Sequence, residues 1–177
     1  MIHVAYIFIL LFLALLFQLF LGSVGIVFPL CGLIIFYLTV VYGWKIMLFP
    51  AMITGVMLDL LYGRTFCLSL ITLPVVVFWA VLWVDKGIPH DIYLQFIPAA
   101  ISTLIYCLPI FIVNGYFFNL GASYLIISLI LFILIIFISI LVFIPLVLML
   151  DFLNFKLRIN LYRTSKKRLK NKNWKIN

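Results

Sequence analysis

A long stretch without any charged residue, from Tyr124 to Leu150, limits the folds that this chain can adopt. It exceeds the ~20 apolar residues that a helix needs to cross ~30 Å of hydrocarbon. Inside a bilayer the backbone must satisfy its own hydrogen bonds, so the stretch forms either a helix or a strand of a closed barrel. A barrel strand would alternate apolar and polar side chains, and this stretch does not. The sequence therefore predicts a transmembrane helix.

The rest of the chain has the same character. Hydrophobic residues make up 68% of it and charged residues 9%, whereas soluble domains average roughly 45–50% and 25%. We predict an all-α integral membrane protein, a compact bundle of about six transmembrane helices in residues 1–155 followed by a basic tail in residues 156–177. The predicted spans cover residues 2–21, 24–42, 46–62, 65–84, 92–114 and 123–150. Around residues 22–29 the boundary is weakest, and the first two spans can alternatively form a re-entrant pair.

Basic residues are distributed unevenly along the chain. Of its 12 Lys and Arg residues, nine lie in the last 22 positions: Lys156, Arg158, Arg163, Lys166, Lys167, Arg168, Lys170, Lys172 and Lys175. Because Lys and Arg favour the cytoplasmic side, both termini of a six-span chain are predicted to be cytoplasmic, with Arg64 on the opposite side. Within the tail, Lys166, Lys167, Arg168 and Lys170 can bind anionic membrane lipids, or the tail serves only to set topology. Nucleic acid is not an expected partner.

Groups able to perform chemistry are scarce. The chain has four acidic residues, and no Asp or Glu pair has metal-ligand spacing within a predicted span. Cys31, Cys67 and Cys107 show no CxxC spacing and lie in apolar runs, as small buried hydrophobes do. We therefore expect no catalytic residue, no metal and no cofactor. Polar residues within spans are predicted to form interhelical hydrogen bonds: Gln18, Thr54, Thr72, Ser102, Thr103, Asn114, Ser128 and Ser139.

One ionisable residue, Asp59, lies inside a predicted span, where a carboxylate is costly and suggests a function. Ala51, Gly55, Asp59 and Gly63 recur every four residues and so share one narrow helix face, on which small side chains let another backbone approach closely. Asp59 can end at the membrane surface or pair with Arg64. Alternatively it supports a partner helix or a tight internal crossing. A proton relay or substrate ligand is the third alternative.

Residues 54–63, Thr-Gly-Val-Met-Leu-Asp-Leu-Leu-Tyr-Gly, followed by Thr65-Phe66-Cys67-Leu68-Ser69-Leu70, resemble the G-x-x-x-D-x-x-x-G signature of the rod shape-determining protein MreD family. Gly55, Asp59 and Gly63 occupy the motif positions. The chain length, the span count and the basic sequence after the last span agree with this family. Arg64 departs from it, since a small or polar residue is expected after the second glycine.

The resemblance implies a non-enzymatic scaffold of the bacterial cell-elongation complex in the inner membrane. Members of the family bind the bitopic protein MreC and help couple MreB filaments to peptidoglycan synthesis by RodA and a class B penicillin-binding protein. The family fold is similar to that of the substrate-binding subunits of energy-coupling-factor transporters. A small-molecule-binding subunit of a vitamin or solute transporter is therefore the alternative function.

Overall fold

The computed structural model describes residues 2–24, 28–64, 66–85, 96–117 and 122–156. All regular secondary structure within these ranges is α-helical. The six helices are α1 (Ile2–Ser23), α2 (Leu30–Tyr42), α3 (Trp44–Leu61), α4 (Leu68–Asp85), α5 (Phe96–Phe117) and α6 (Ala122–Lys156). The described residues thus confirm the prediction of an all-helical chain with apolar helices long enough to span a membrane. The basic tail beyond Lys156, including Lys166, Lys167, Arg168 and Lys170, lies outside the described residues, as does the predicted loop at residues 86–91.

Five of these helices, all except α2, are long and apolar enough to cross a membrane. Helix α2 has 13 residues, a length of about 20 Å against ~30 Å of hydrocarbon. The predicted span at residues 24–42 is therefore wrong at its start, which lies at Leu30. Apolar composition around Val24 suggested a longer helix, but the chain passes through Phe28 and Pro29 before α2 begins.

The short helix α2 occupies the centre of the bundle. It contacts α1, α3, α4 and α5, and its Phe36 ring meets Phe143 of α6 edge-on, with ring centroids 6.0 Å apart. Every residue from Leu30 to Val41 is buried. Because protein surrounds α2 along its whole length, this helix needs neither polar face nor membrane-spanning length. The core forms around it.

Helix α6 is the longest and the least buried. Only 11% of its membrane segment is buried, against 28–44% for the other four long helices. It continues to Lys156, six residues beyond the predicted end at Leu150, and so includes Asp151 and Asn154. The sequence suggested an end at the first polar residues, whereas the helix carries them into its last turns. Large apolar side chains such as Phe137, Met149 and Phe155 remain exposed along it, as expected for a surface that faces lipid.

Candidate functional site

Two backbones lie very close together where α3 crosses the start of α4. A Cβ atom added at Gly55 would lie 2.6 Å from the Ser69 carbonyl oxygen and 2.7 Å from Leu70 Cα. Real Cβ atoms do not approach backbone this closely, so only glycine fits at this position. Ala51, one turn earlier on the same face, is also completely buried. A small-residue face on α3 therefore lets the backbone of α4 approach.

Asp59 lies one turn further along this face and caps α4. Its Oδ1 accepts a hydrogen bond of 3.1 Å from the Ser69 N–H, and its Oδ2 accepts one of 3.1 Å from the Leu70 N–H. These amides belong to the first turn of α4 and have no partner within that helix. The positive end of the helix dipole also favours a carboxylate here. Asp59 is only 2% exposed, so both of its oxygens are held inside the protein.

Gly63 has a different role from the one predicted. It lies beyond the last residue of α3, its φ is +61°, and an added Cβ would meet nothing within 4 Å. The Arg64 N–H bonds to the Asp59 carbonyl and the Gly63 N–H to the Leu60 carbonyl, which together make a Schellman cap. Gly63 therefore ends α3 through its left-handed conformation and does not belong to the packing face with Ala51, Gly55 and Asp59.

Arg64 lies over the cap and supplies positive charge. Its Nη1 lies 3.6 Å from Asp59 Oδ1 and donates a hydrogen bond of 3.0 Å to Ser69 Oγ. Its guanidinium also stacks over the Tyr62 ring at 4.8 Å. The Arg64 side chain is 21% exposed, whereas that of Asp59 is 3% exposed. The buried carboxylate thus has a counter-charge that reaches the protein surface.

A second capping contact lies beside the first, at the start of α2. Gln18 of α1 accepts a hydrogen bond of 2.9 Å from the Cys31 N–H and donates one of 3.1 Å to the Tyr106 hydroxyl of α5. Tyr62 donates to the Gln18 carbonyl oxygen at 3.1 Å, which connects this contact to the turn after α3. The Tyr106 hydroxyl is also close enough to interact with the Ser69 and Arg64 side chains. Side chains from α1, α3, α4 and α5 thus form one network around two helix starts.

The structure brings some of the sequence-predicted polar residues into contacts and not others. Gln18 bonds to two other helices, while the Thr54 hydroxyl bonds to the Pro50 carbonyl of its own helix at 2.8 Å. Among the described residues, four further hydroxyls are buried without a hydrogen-bond partner: Thr72, Ser102, Thr103 and Ser139. Cys31 and Cys107 are buried, but Cys67 is exposed, contrary to the prediction that it is a buried hydrophobe.

A second polar cluster, which was not predicted from the sequence, lies between α2 and α6. Tyr37 donates a hydrogen bond of 2.7 Å to Asp151 Oδ1 and accepts one of 2.7 Å from Asn154 Nδ2. Asp151 and Asn154 are three residues apart, a spacing that places two side chains on one face once the helix is known to extend that far. Their position after Leu150 is typical of the end of a span, so the sequence alone does not indicate that they share a helix face.

The arrangement around Asp59 can hold two helices together, but it leaves the carboxylate little capacity for chemistry. Both oxygens accept backbone hydrogen bonds and a guanidinium lies nearby. Of the three alternatives for Asp59, this geometry corresponds to the tight internal crossing combined with a pair to Arg64. No group of three or more His, Cys, Asp or Glu side chains able to hold a metal ion occurs among the described residues.

Comparison of the chain with protein-family models, with curated proteins and with solved structures finds no match.

Proposed function

We propose that this protein is a non-enzymatic scaffold of the MreD type, which holds MreC in the inner membrane of a bacterium. Through MreC it would act on RodA and a class B penicillin-binding protein, and indirectly on MreB, in cell shape and peptidoglycan synthesis. The basic tail would lie on the cytoplasmic side, against anionic lipids. Two features support this proposal: the resemblance of residues 54–70 to the family signature, and the use that the fold makes of that signature.

The observation that carries the proposal is the state of the Asp59 carboxylate. A proton relay or a substrate ligand needs a lone pair that can be reached, but Asp59 is 2% exposed and both of its oxygens cap α4. This geometry supports a structural role for the motif rather than a chemical one. A protein whose most unusual buried residue fixes a helix crossing fits the role of a rigid membrane scaffold better than that of a catalyst.

The surface available to a membrane partner is long and apolar. Along the membrane segment of α6, 11% of the residues are buried, and the exposed side chains include Ile130, Leu134 and Leu141. A single transmembrane helix, such as that of a bitopic protein, can pack along such a surface by van der Waals contact. The proposed role of the Asp59 crossing is then indirect. It orders α3 and α4, and α5 packs between α4 and α6.

Affinity purification from native membranes tests the proposal. The tagged chain, solubilised in mild detergent, is expected to recover MreC, with or without RodA and its penicillin-binding partner, when the eluate is analysed by mass spectrometry. Asp59→Asn and Gly55→Leu should reduce recovery and alter cell shape, while Met52→Leu on the exposed side of α3 should do neither. Unchanged assembly and cell shape in both site variants would refute the role given to the motif.

A second candidate function is a solute-binding subunit of a membrane transporter. It is favoured by the buried hydroxyls of Thr72 on α4 and of Ser102 and Thr103 on α5, which are at most 4% exposed and have no hydrogen-bond partner among the described residues. Such groups can line a polar cavity for a small solute. Recovery of a coupling subunit with its ATPases in the same purification, in place of MreC, would favour this function.

A further inference from the structure

Helices α3 and α6 differ greatly in length. Helix α3 has 18 residues, about 27 Å; Lys45 lies in its first turn and Arg64 follows its end. Helix α6 has 35 residues, about 52 Å, and its part from Ala122 to Leu150, about 43 Å, carries no charge. The hydrocarbon of a bilayer is ~30 Å thick. Helix α3 therefore matches a bilayer, whereas α6 exceeds it.

The two helices are nearly level at the end of the bundle where α3 begins. Asp151 and Asn154, in the last turns of α6, bond to Tyr37 of α2. Helix α2 ends five residues later at Tyr42, and α3 begins at Trp44. The extra length of α6 therefore lies at the opposite end of the bundle.

Side-chain contacts at that opposite end show how far α6 rises. Gln18 bonds to the hydroxyls of Tyr62, directly after α3, and of Tyr106 in α5, so these residues lie at about the same level. Phe111 lies five residues, or about 8 Å, further along α5, and it stacks on Phe132 of α6 with ring centroids 5.8 Å apart. From Phe132, α6 continues for ten residues, about 15 Å, to its first residue.

Helix α6 thus starts about 23 Å beyond the level of the Gln18 contacts, or about 18 Å at a tilt of 40°. Helix α1 ends at Ser23, about 8 Å beyond Gln18, and the first turn of α2 bonds to Gln18 itself. Residues 112–117 of α5 and 122–131 of α6 therefore rise beyond the other four helices. We call them the protruding pair.

The α6 half of the protruding pair is apolar all round, except where it faces α5. Five of its side chains are more than half exposed: Ile126, Ile127, Leu129, Ile130 and Leu131. Consecutive residues turn by about 100°, so Ile127 and Leu129 lie on opposite flanks of Ser128, which lines a groove together with Phe111 of α5. A helix that packs on one partner in water keeps a polar face, whereas a helix apolar all round is typical of hydrocarbon surroundings. The sequence also has no charged residue from position 92 to position 150.

We propose that lipid acyl chains surround the protruding pair, so that the hydrocarbon beside α6 is thicker than the hydrocarbon beside Arg64. Tilt alone does not remove the excess length, since fitting about 43 Å into ~30 Å needs about 45°, outside the usual range of roughly 0–40°. The partner of this surface is a bilayer with long acyl chains next to α6, and the mismatch draws the protein towards thicker regions of a membrane. This lipid interaction does not depend on the proposed scaffold function.

Spin labels on single cysteines of the full chain, in vesicles of dioleoyl phosphatidylcholine, test the proposal. Cys67, directly before α4, is exposed, whereas Cys31 and Cys107 are buried. A label on Cys67 therefore reports the bilayer surface beside the end of α3. Ile127→Cys and Leu129→Cys, each combined with Cys67→Ser, report the two flanks of the protruding pair.

Leu134→Cys, in the same Cys67→Ser background, is the reference for hydrocarbon on α6. The labels at positions 127 and 129 are expected to collide with oxygen as often as the label at position 134. They should collide with a water-soluble nickel chelate roughly 10-fold less often than the label on Cys67, because hydrocarbon excludes the polar chelate. The residues further out along the bundle would then be the more deeply embedded in lipid.

Three results would overturn the proposal. Nickel access at positions 127 and 129 equal to that at Cys67 would place the protruding pair in water. Protection of one flank alone from both reagents would mean that a second copy of the chain covers it. A Cys67 label as inaccessible to nickel as the other labels would remove the difference in thickness.

A measurement on the unsubstituted chain applies if the labelled variants do not fold. Thermal unfolding is compared in nanodiscs of monounsaturated phosphatidylcholines with 14-carbon or 22-carbon chains. The longer chains cover more of the protruding pair, so Tm should be about 5 °C higher in them. An equal or lower Tm in the 22-carbon lipid would contradict the proposal.

Discussion

Helices α2 and α4 both begin beside the end of the preceding helix, and each takes its cap from that helix. At α2, the neutral amide of Gln18 accepts one hydrogen bond, from the Cys31 N–H. At α4, the carboxylate of Asp59 accepts two, from the Ser69 and Leu70 N–H groups. Both caps are 2% exposed. Both caps supply a hydrogen-bond acceptor for free amides of a first turn. The acceptor at α2 is a neutral side-chain amide, and the acceptor at α4 is a charged carboxylate.

The difference follows from what surrounds each helix start. Burying a carboxylate is costly unless it is paired, and at α4 the Arg64 guanidinium lies 3.6 Å away. The Arg64 side chain is 21% exposed, so it can be charged without complete desolvation. At the start of α2, the Tyr106 hydroxyl accepts a hydrogen bond from the Gln18 amide nitrogen. This hydroxyl is neutral and supplies no counter-charge. Of the two caps, the charged one is the one that lies beside a partly exposed counter-charge.

Removing the charged cap should have the largest effect. Asp59→Ala leaves two amides and Arg64 without their acceptor, and loss of one member of a buried pair costs about 3–5 kcal/mol. We expect Tm of the purified protein to fall by about 10 °C. Asp59→Asn retains one acceptor oxygen, so its Tm should lie between those of Asp59→Ala and the wild type. If the Tm of Asp59→Ala is no lower than that of the wild type, the cap does not stabilise the crossing.

The next largest effect is expected at the α3–α4 crossing, where Gly55→Ala can be compared with the same substitution at Gly32 of α2. In Gly55→Ala the new methyl would lie 2.6 Å from a backbone oxygen, whereas in Gly32→Ala on α2 its nearest neighbour would be Tyr106 Cβ at 3.9 Å. Overpacking against backbone costs about 1–3 kcal/mol, while an alanine whose methyl is in ordinary van der Waals contact gains up to ~1 kcal/mol of helix propensity. Thermal unfolding should therefore show lower stability for Gly55→Ala and no loss for Gly32→Ala. Equal losses would mean that the α3–α4 contact is no tighter than the contact at Gly32.

Removal of the neutral cap should cost less than removal of the charged one. Gln18→Leu deletes one hydrogen bond to a backbone amide and one to a phenol, at about 1 kcal/mol each. We expect a Tm decrease smaller than that of Asp59→Ala, measured in the same lipid. Gln18→Glu sharpens the comparison, since it restores the acceptor but introduces a charge. If Gln18→Glu matched wild type, a counter-charge would not be the feature that distinguishes the two helix starts.

The contrast between the two caps also marks what the sequence could predict. Asp59 was identifiable because a carboxylate in an apolar run is rare, and Gly55 because it lies one turn away on the same face. Nothing local identifies the role of Gln18, whose partners lie 13 and 88 residues away. For the same reason Asp151 was assigned to the end of a span, since its contact with Tyr37 crosses 114 residues.

For the helices too, some features were predictable from local sequence and others depend on distant contacts. Long apolar runs predicted the five long helices at nearly the correct positions, because each of these runs satisfies the length required by the bilayer. The late start of α2 was not predictable from hydropathy, since Val24 to Phe28 are as apolar as the helix itself. It follows from burial on all sides and from the cap that Gln18 supplies. The conformational role of Gly63 was missed because a four-residue spacing looks the same whether the last glycine packs or ends the helix.

The smallest effect is expected from the counter-charge itself. Arg64→Ser replaces the guanidinium with the small polar group expected at this position from the family signature. Since the Arg64 side chain is 21% exposed, solvent can take over part of its role, and a partly exposed ion pair contributes about 0–1 kcal/mol. Tm should fall by a few degrees at low salt and by less at high salt, because salt screens the pair in the wild type. The double variant Arg64→Ser with Asp59→Asn should lose less than the sum of the two single losses. Additive losses would instead mean that Arg64 and Asp59 are not energetically coupled. Asp59 would then be stabilised in its buried position by the amides of α4 alone.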